Sequence, residues 1–219
     1  MNIYFKTRKP TVYAIILAAG TASRMKEEKL LLKYNGDTIL SNMISTVFDA
    51  GLTPIIVTGC YKELIDKELK RIEECKGCSL ITTHNKFYER GQLSSLIVGV
   101  KKLQNLLNIS NSLDIKTPYF ITVADLPLLK PHHFTNLISF LGSHEALRPK
   151  VDGRFGHPVL LSTSINDEII NLEVDGKKKE GLKSFLQKKD TISYATDDVA
   201  YITDVDTKES YAHLINDNT

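Results

Sequence analysis

Cysteine is scarce in this sequence, which has only Cys60, Cys75 and Cys78 among 219 residues. So small and odd a number argues against a disulfide-stabilised extracellular scaffold. Cys75 and Cys78 have the CxxC spacing found in some zinc and thiol-exchange sites. No second pair of cysteines or histidines with suitable spacing completes a zinc site, however. We interpret the pair as reduced thiols in a turn around Gly77.

Long apolar runs and an excess of one charge are also lacking. No stretch reaches the roughly 18 apolar residues of a membrane span. The first ten residues lack the apolar segment and cleavage site of a secretory signal. Lysine plus arginine number 28 against 26 for aspartate plus glutamate, so the formal net charge is only +2 and offers no general surface for nucleic acid or anionic membrane. We therefore expect a cytoplasmic protein that binds neither, with any anion site confined to a local cluster.

The sequence does contain a regular alternation of predicted strands and helices. Short apolar runs have the composition of strands covered on both faces; they lie at 12–17, 54–58, 80–83 and 118–123. Helices are predicted between them, at 39–50, 61–74 and 93–107. Asp37 or Thr38 is expected to cap the first helix, which Gly51 ends. The alternation predicts an α/β fold, a Rossmann-like three-layer sandwich whose sheet is mostly parallel.

The pattern changes after about residue 143. Residues 147–151 and 158–161, on either side of the turn Asp152-Gly153, predict an inserted β-hairpin, which makes the sheet mixed. Helical segments near 164–171 and 180–188, short strands and a last helix from Thr207 complete the chain. We expect residues 1–11 to be an N-terminal extension and residues 12–219 to form a single domain.

The loop after the first predicted strand, residues 18–29, is a candidate phosphate site. Its small residues let the backbone approach a ligand, and its N–H groups can turn inward to hold phosphate oxygens. Arg24 and Lys29 supply two cations suited to a triphosphate. The loop matches neither the Walker pattern nor GxGxxG, and such a turn taken alone is more often a plain strand–helix connection.

Three aspartates are candidate metal ligands. Asp125 directly follows the strand at 118–123, where it could reach a hard cation such as Mg²⁺ or instead cap the next helix. Asp204 and Asp206 lie on one face of an extended segment. Either could complete a metal site, with Asp206 favoured, although Asp206 or Thr207 could instead cap the last helix. Ligands of open parallel sheets bind beyond the carboxyl ends of the strands, so the loops holding Lys29 and Asp125 are expected to meet.

Histidines give weaker signals. His132 and His133 are adjacent at a predicted helix start, where neighbouring side chains point to different faces, so metal binding there is not expected. His157 is either an acid–base group or a residue that shapes a substrate loop.

Taken together, these motifs resemble the molybdenum cofactor cytidylyltransferases, which are grouped with the guanylyltransferase of the same cofactor. The resemblance covers about residues 12–211. In chain order, the matching segments are Leu17-Ala-Ala-Gly-x-x-Ser-Arg-Met25 with Lys29, Val57-Thr-Gly59, Gly91-Gln-Leu-Ser-Ser95, Ala124-Asp-Leu-Pro127, Gly153-Arg-Phe-Gly-His-Pro158 and Asp204-Val-Asp-Thr207.

The resemblance implies a magnesium-dependent transfer of CMP from CTP to the phosphate of molybdopterin, with release of pyrophosphate. It implies catalytic roles for Arg24, Lys29 and Asp125, and Mg²⁺ binding by Asp125 and Asp206. The substrate-binding residues that it implies are Leu17, Ala18, Ala19, Gly20, Thr58, Gly91, Ser95, Gly156, His157 and Pro158.

Two positions bear on nucleotide choice. Ala19 stands where the guanylyltransferases usually carry glycine, which, with the segment Gly156-His157-Pro158, favours CTP over GTP. Lys26 stands where the family usually has glycine. A lysine forced to positive φ would cost on the order of 1 kcal/mol, so the loop is expected either to sit differently or to gain a phosphate contact.

Other functions stay open at this point. The chain could be a guanylyltransferase, a transferase acting on a sugar or alcohol phosphate, or a non-catalytic nucleotide-binding regulator. The residues specify neither the acceptor nor the oligomeric state. The resemblance alone implies a transient contact with a molybdenum hydroxylase or its chaperone.

Overall fold

The computed structural model describes residues 11–21, 28–109, 117–172 and 181–216. Arg24 and Lys26 therefore lie outside the described residues, as do residues 1–10 of the expected N-terminal extension.

Within these ranges the chain forms ten strands and seven α-helices, together with four short 3₁₀ helices. The strands are β1 (Tyr13–Ala18), β2 (Lys33–Tyr34), β3 (Asp37–Thr38), β4 (Thr53–Thr58), β5 (Ile81–His84), β6 (Pro118–Val123), β7 (Ala146–Val151), β8 (Arg154–Phe155), β9 (Val159–Ser162) and β10 (Thr191–Ala195). The helices are α1 (Ile39–Asp49), α2 (Lys62–Lys76), α3 (Gln92–Ile109), α4 (Pro131–Leu141), α5 (Asn166–Ile170), α6 (Leu182–Leu186) and α7 (Lys208–Asn216). The 3₁₀ helices are Lys29–Leu31, Tyr88–Arg90, Thr163–Ile165 and Val199–Tyr201.

One large sheet organises these elements. Its strand order is β10-β7-β9-β6-β1-β4-β5, with β8 paired to β7, while β2 and β3 form a separate pair. The strands β6, β1, β4 and β5 are parallel neighbours, as are β10 and β7. Strand β9 is antiparallel to both β6 and β7. The predicted α/β fold with a mostly parallel, mixed sheet is confirmed.

Helices cover both faces of the sheet because its central strands are apolar on both. In β1, Ala14 and Ile16 pack in a cluster with α1, α2, α4 and α7, whereas Ile15 and Leu17 pack in a second cluster with α3, α5 and α6. Ile15 and Ile16 are fully buried, and burying such a side chain contributes about 1.5–3 kcal/mol. The continuous apolar run is what a strand between two helical layers requires.

Helix α3 lies directly on the sheet, and Gly99 makes this possible. A Cβ at Gly99 would lie 2.5 Å from Ile15 Cγ2, which is closer than such atoms can pack, and 3.1 Å from Val57 Cγ2, which is a tight contact. This approach brings the N-terminus of α3 to the carboxyl edge of β1 and β4.

Capping residues and glycines mark the ends of helices. Thr38 caps α1, since its Oγ1 accepts the N–H of Ser41 at 3.0 Å. Gly77, in the left-handed conformation at φ 62°, ends α2. The three cysteines are free thiols, which agrees with the interpretation of Cys75 and Cys78.

The inserted hairpin is present, but its second strand is divided. Asp152 and Gly153 both have positive φ, as the two-residue turn of a hairpin requires. The strand then splits: β8 pairs with the end of β7, and β9 begins after Gly156-His157-Pro158 and lies between β7 and β6.

None of the described helices combines the length and the apolar character needed to cross a membrane.

Candidate functional site

The site lies where β1 and β6 end side by side. Leu17 pairs with Val123 in the parallel register, and the N–H of Ala124 donates to the carbonyl of Leu17 at 3.1 Å. The loop that follows β1 and the loop that carries Asp125 are therefore neighbours. This is the meeting of loops that the sequence predicts.

The segment before α7 joins them. The N–H of Val205 donates to the carbonyl of Asp125 at 3.0 Å, and the Val205 side chain is buried. Because side chains alternate along an extended segment, burial of Val205 turns Asp206 towards the other side. Thr207 caps α7, accepting the N–H of Ser210 on Oγ1 at 3.1 Å. Of the two expected caps for this helix, Thr207 is the one used.

The ammonium group of Lys29 lies between two carboxylates. It donates to Asp125 Oδ2 and, at 2.7 Å, to Asp206 Oδ1. The Lys29 side chain is only 15% exposed. Burial lowers its pKa, but the charges and hydrogen bonds of Asp125 and Asp206 together outweigh burial, so the pKa stands above its ordinary value. Lys29 is therefore protonated at neutral pH.

Negative charge exceeds what this lysine neutralises. Asp125 Oδ1 is buried and has no hydrogen-bond partner among the described residues. Burial, with the charge of Asp125 adding to it, raises the pKa of Glu28. Burial followed by the charges of Asp206 and Asp125 raises the pKa of Asp204. A partnerless carboxylate oxygen amid further carboxylates is a donor set that fits a hard divalent cation.

A cavity of about 420 Å³ adjoins these groups. Eight residues predicted for the site line it: Leu17, Ala19, Gly20, Lys29, Gly91, Ser95, Asp125 and Asp206. Two more, Thr21 and Glu28, belong to the loop at 18–29 that the sequence predicts as a phosphate site. Five lining residues were not predicted: Leu30, Tyr88, Glu89, Gln92 and Val123. Leu30 and Gln92 are sequence neighbours of a predicted residue, and that adjacency is the signal that could have identified them.

Other predicted residues lie away from the cavity wall. Ala18 and Thr58 are buried at the strand ends, 5% and 2% exposed. Thr58 Oγ1 lies 3.2 Å from His84 Nδ1. Gly156-His157-Pro158 lies between β8 and β9, beyond β6. Arg24 is outside the described residues, so its expected role on the triphosphate stays a prediction.

Asn85, which was not predicted from the sequence, stabilises the part of the cavity wall formed by Gly91 and Ser95. Asn85 is 1% exposed, and its side-chain amide donates to Ser94 Oγ at 2.8 Å and Ser95 Oγ at 2.9 Å. The side-chain oxygen of Asn85, Oδ1, accepts the N–H of Phe87 at 2.9 Å. These bonds tie the loop after β5 to the first turn of α3.

Ala19 lies against the neighbouring strand exit. A Cβ at Gly59 would lie 2.6 Å from both the Cβ and the carbonyl oxygen of Ala19. Gly59 is therefore what lets the loops after β1 and β4 approach each other with alanine at position 19.

The two adjacent histidines come together, so the geometric reason given against their pairing is wrong. The rings of His132 and His133 are 4.1 Å apart between centroids, and with Asp198 they form a cluster of possible ligands within 4.8 Å. His133 already uses both ring nitrogens, because Nδ1 accepts the N–H of Lys130 at 2.7 Å and Nε2 lies 2.8 Å from Asp198 Oδ2. This arrangement ties the start of α4 to the 199–201 turn.

His157 is held on the side of the sheet beyond β6. Its Nδ1 lies 3.3 Å from the carbonyl oxygen of Ile121. Burial lowers the pKa of His157, and the charge of Arg148 acts in the same direction, while the Ile121 carbonyl and Asp125 act against it. The imidazole is therefore neutral at pH 7.

The fold and the site together define a class of protein. A small-residue loop, a lysine and a set of carboxylates meet at one cavity, at the carboxyl edge of a parallel sheet, which is an arrangement for a triphosphate and a cation. A family model described as the MobA-like NTP transferase domain matches residues 14–192. The chain belongs to this family and is a nucleotidyltransferase.

Individual relatives share the sequence or the fold. The chain is 26% identical to the molybdenum cofactor cytidylyltransferase of Escherichia coli K12 over 199 residues, covering 90% of this chain and 92% of the relative. The crystal structure of Rv0371c from Mycobacterium tuberculosis H37Rv superposes with a TM-score of 0.71 at 19% identity, covering 94% of this chain and 98% of that one. The manganese complex of Rv0371c gives a TM-score of 0.68 with the same identity and coverage.

Proposed function

We propose that this nucleotidyltransferase transfers CMP from CTP to the phosphate of molybdopterin and releases pyrophosphate. The observation that carries the proposal is the Lys29 ammonium group between Asp125 and Asp206, at the wall of a cavity that Gly20 also lines. A cation, two carboxylates and a small-residue turn therefore line one cavity, where a single bound triphosphate could contact all of them.

The reaction is a single displacement at phosphorus. An oxygen of the acceptor phosphate forms a bond to the α-phosphorus of CTP, and the bond from that phosphorus to the bridging oxygen of pyrophosphate breaks. A phosphate monoester is already ionised at neutral pH, so the reaction requires no strong general base. Catalysis then rests on positioning the two phosphates and on stabilising their charge. Lys29, protonated at neutral pH, is the described group suited to the negative charge of the triphosphate.

Asp125 and Asp206 would hold a divalent cation, which we propose to be Mg²⁺. The partnerless Oδ1 of Asp125 supports this assignment, as does the existence of a manganese complex of Rv0371c. When bound, the cation would withdraw charge from phosphate oxygens. Asp206 is the better second ligand than Asp204, since Asp206 lines the cavity and contacts Lys29.

The choice of CTP and molybdopterin rests on likeness to the E. coli enzyme and on the motifs in the sequence. We extend the proposal to the remaining predicted contacts. Leu17, Ala19, Gly20, Gly91 and Ser95 would bind the nucleotide, and the segment Gly156-His157-Pro158 would shape the acceptor side. A transient contact with the protein that receives the finished cofactor is part of the same proposal.

The test is a panel of four nucleoside triphosphates, scored by pyrophosphate release with and without molybdopterin and with and without Mg²⁺. We expect release with CTP only when both molybdopterin and Mg²⁺ are present. Faster release with GTP would replace the proposal with a guanylyltransferase. Release that needs a sugar or alcohol phosphate instead of molybdopterin would identify another acceptor. Nucleotide binding without release under every condition would indicate a regulator.

A further inference from the structure

Arg148, on β7, is a half-buried cation that lacks a counter-ion in the described part of the chain. Its Nε is buried and has no hydrogen-bond partner, and among the described residues no carboxylate pairs with its guanidinium group. Arg71, by comparison, binds Glu68 at 2.7 Å and also binds Asp37. Burying a charge without a partner costs stability, so an arginine in this position calls for a ligand that supplies the missing charge.

An aromatic ring lies against this arginine without neutralising it. The Arg148 guanidinium carbon lies 4.1 Å from the ring centroid of Phe155, and Lys150 Nζ lies 5.6 Å from the same centroid. Stacking on a ring occupies the face of a guanidinium group and leaves its N–H groups directed outward. Phe155 is itself 39% exposed. Two cations and an open aromatic surface are therefore held together on one hairpin.

The cluster lies on the same face of the sheet as the cavity. Along β7, residues 146, 148 and 150 share one face, and Ala146 packs in the same core cluster as Leu17. Phe155 is opposite Lys150 in the β7–β8 register, so it shares that face. The cavity wall includes Leu17 on β1 and Val123 on β6. The row of strands β1, β6, β9 and β7 therefore runs from the cavity to Arg148.

His157 links the two places electrostatically. His157 lies just before β9, the strand between β7 and β6, and the charges of both Arg148 and Asp125 act on its imidazole. Lys29 supplies positive charge on the nucleotide side of Asp125, and Arg148 supplies it on the opposite side, towards β7.

We propose that Arg148, with Lys150 beside it, binds the phosphate group of the acceptor and so selects phosphomonoester acceptors. This inference rests on the proposed function, because it takes the acceptor to be a phosphomonoester. A phosphate there would accept charge-assisted hydrogen bonds from the guanidinium group. The acceptor phosphate and the small-residue loop would then lie on opposite sides of Asp125. The second reactant has to approach from that opposite side.

The kinetic test compares Arg148→Met with Arg148→Lys in pyrophosphate release from CTP and molybdopterin. Losing a hydrogen bond to a charged group weakens binding by about tenfold or more. We expect that increase in the KM for molybdopterin in Arg148→Met, with partial recovery in Arg148→Lys and a KM for CTP within about twofold of wild type. Arg154→Met is the matched control. Arg154 is an exposed arginine of the same hairpin, and it pairs with Val151 on the opposite face.

Stability separates a binding role from a packing role. Methionine keeps the apolar contact with Phe155 and removes the half-buried, unpaired charge, so Arg148→Met is expected to unfold at the wild-type temperature or above it. A lower unfolding temperature, with the KM values for CTP and molybdopterin raised equally, would show that Arg148 serves packing. An unchanged KM for molybdopterin would overturn the proposal outright.

A third arm does not depend on catalysis. Inorganic phosphate is titrated by calorimetry into the wild type, Arg148→Met, Arg154→Met and Lys29→Met. We expect Arg148→Met to lose a phosphate-binding event that Arg154→Met and Lys29→Met retain. If no nucleotide is turned over with any acceptor, the proposed function fails, yet this loss would still support the anion subsite. Equal phosphate binding in Arg148→Met and wild type would remove it.

Discussion

At the scale of single residues, Lys29 balances the charge of the site. Its ammonium group contacts Asp125 and Asp206, which approach each other from the end of β6 and from the segment before α7. Without this cation, two partly buried carboxylates would face each other. A divalent cation bound by the same two aspartates would have the same neutralising effect.

Lys29→Met is therefore expected to destabilise the protein at neutral pH and to make its stability depend on Mg²⁺. We expect a loss of about 1–2 kcal/mol in the free energy of unfolding, since the ion pairs are only partly buried. Added Mg²⁺ should restore most of that loss. Urea denaturation with and without Mg²⁺ measures both effects, and Lys62→Met, at an exposed pair with Asp66, is the control. If Mg²⁺ has no greater effect on Lys29→Met than on Lys62→Met, the cation does not bind at these aspartates.

Sequence reasoning reached Lys29, Asp125 and Asp206 because charged residues at strand exits are visible as local patterns. It did not reach Asn85, whose importance comes from its hydrogen bonds to Ser94 and Ser95. Such bonds depend on how the loop after β5 folds back onto α3. The same limit applied to Arg148, which in the sequence is one of 28 basic residues. Only the structure shows that it has no acidic partner in the described part of the chain.

At the scale of secondary structure elements, the divided strand β8–β9 shapes the side of the site beyond β6. The division is supported by a close backbone contact. A Cβ at Gly156 would lie 2.1 Å from the carbonyl oxygen of Tyr201, and the N–H of His157 donates to that same oxygen at 2.9 Å. Gly156 thus joins the hairpin to the 199–201 turn.

Gly156→Ala is expected to cost about 3 kcal/mol or more in the free energy of unfolding, because backbone atoms cannot move aside as a flexible side chain can. Gly153→Ala, in the turn of the same hairpin, has open space around its Cβ. It should cost only about 1 kcal/mol, from its positive φ. Urea denaturation of both variants is the measurement. Equal losses would show that the contact with Tyr201 does not restrain the hairpin.

Most elements could be predicted because their signals are local. The apolar run of β6 gave the strand 118–123 with the bounds that the structure has, and Thr38 was one of two expected caps for α1. The division of β8 from β9 could not be predicted, since it depends on a contact between Gly156 and residue 201, far along the chain.

At the scale of the whole molecule, the order of strands separates the two proposed binding sides. The proposed nucleotide side lies over β1 and the start of α3, and the proposed acceptor side lies over β9 and β7. Strand alternation predicted the parallel core of the sheet, but the order in which β7, β9 and β10 join it follows from packing that no local pattern specifies. The division into an extension at residues 1–11 and a single domain at 12–219 stays a prediction.

The proposed function requires that Asp125 and Asp206 hold one divalent cation together with a nucleotide. Electron paramagnetic resonance measures free Mn²⁺ directly during a titration of the protein in the presence of CTP. We predict one bound Mn²⁺ per chain, displaced by Mg²⁺, retained in His132→Ala, weakened in Asp206→Asn and lost in Asp125→Asn. Undiminished Mn²⁺ binding in Asp125→Asn, or its loss in His132→Ala alone, would show that Asp125 and Asp206 are not the metal ligands.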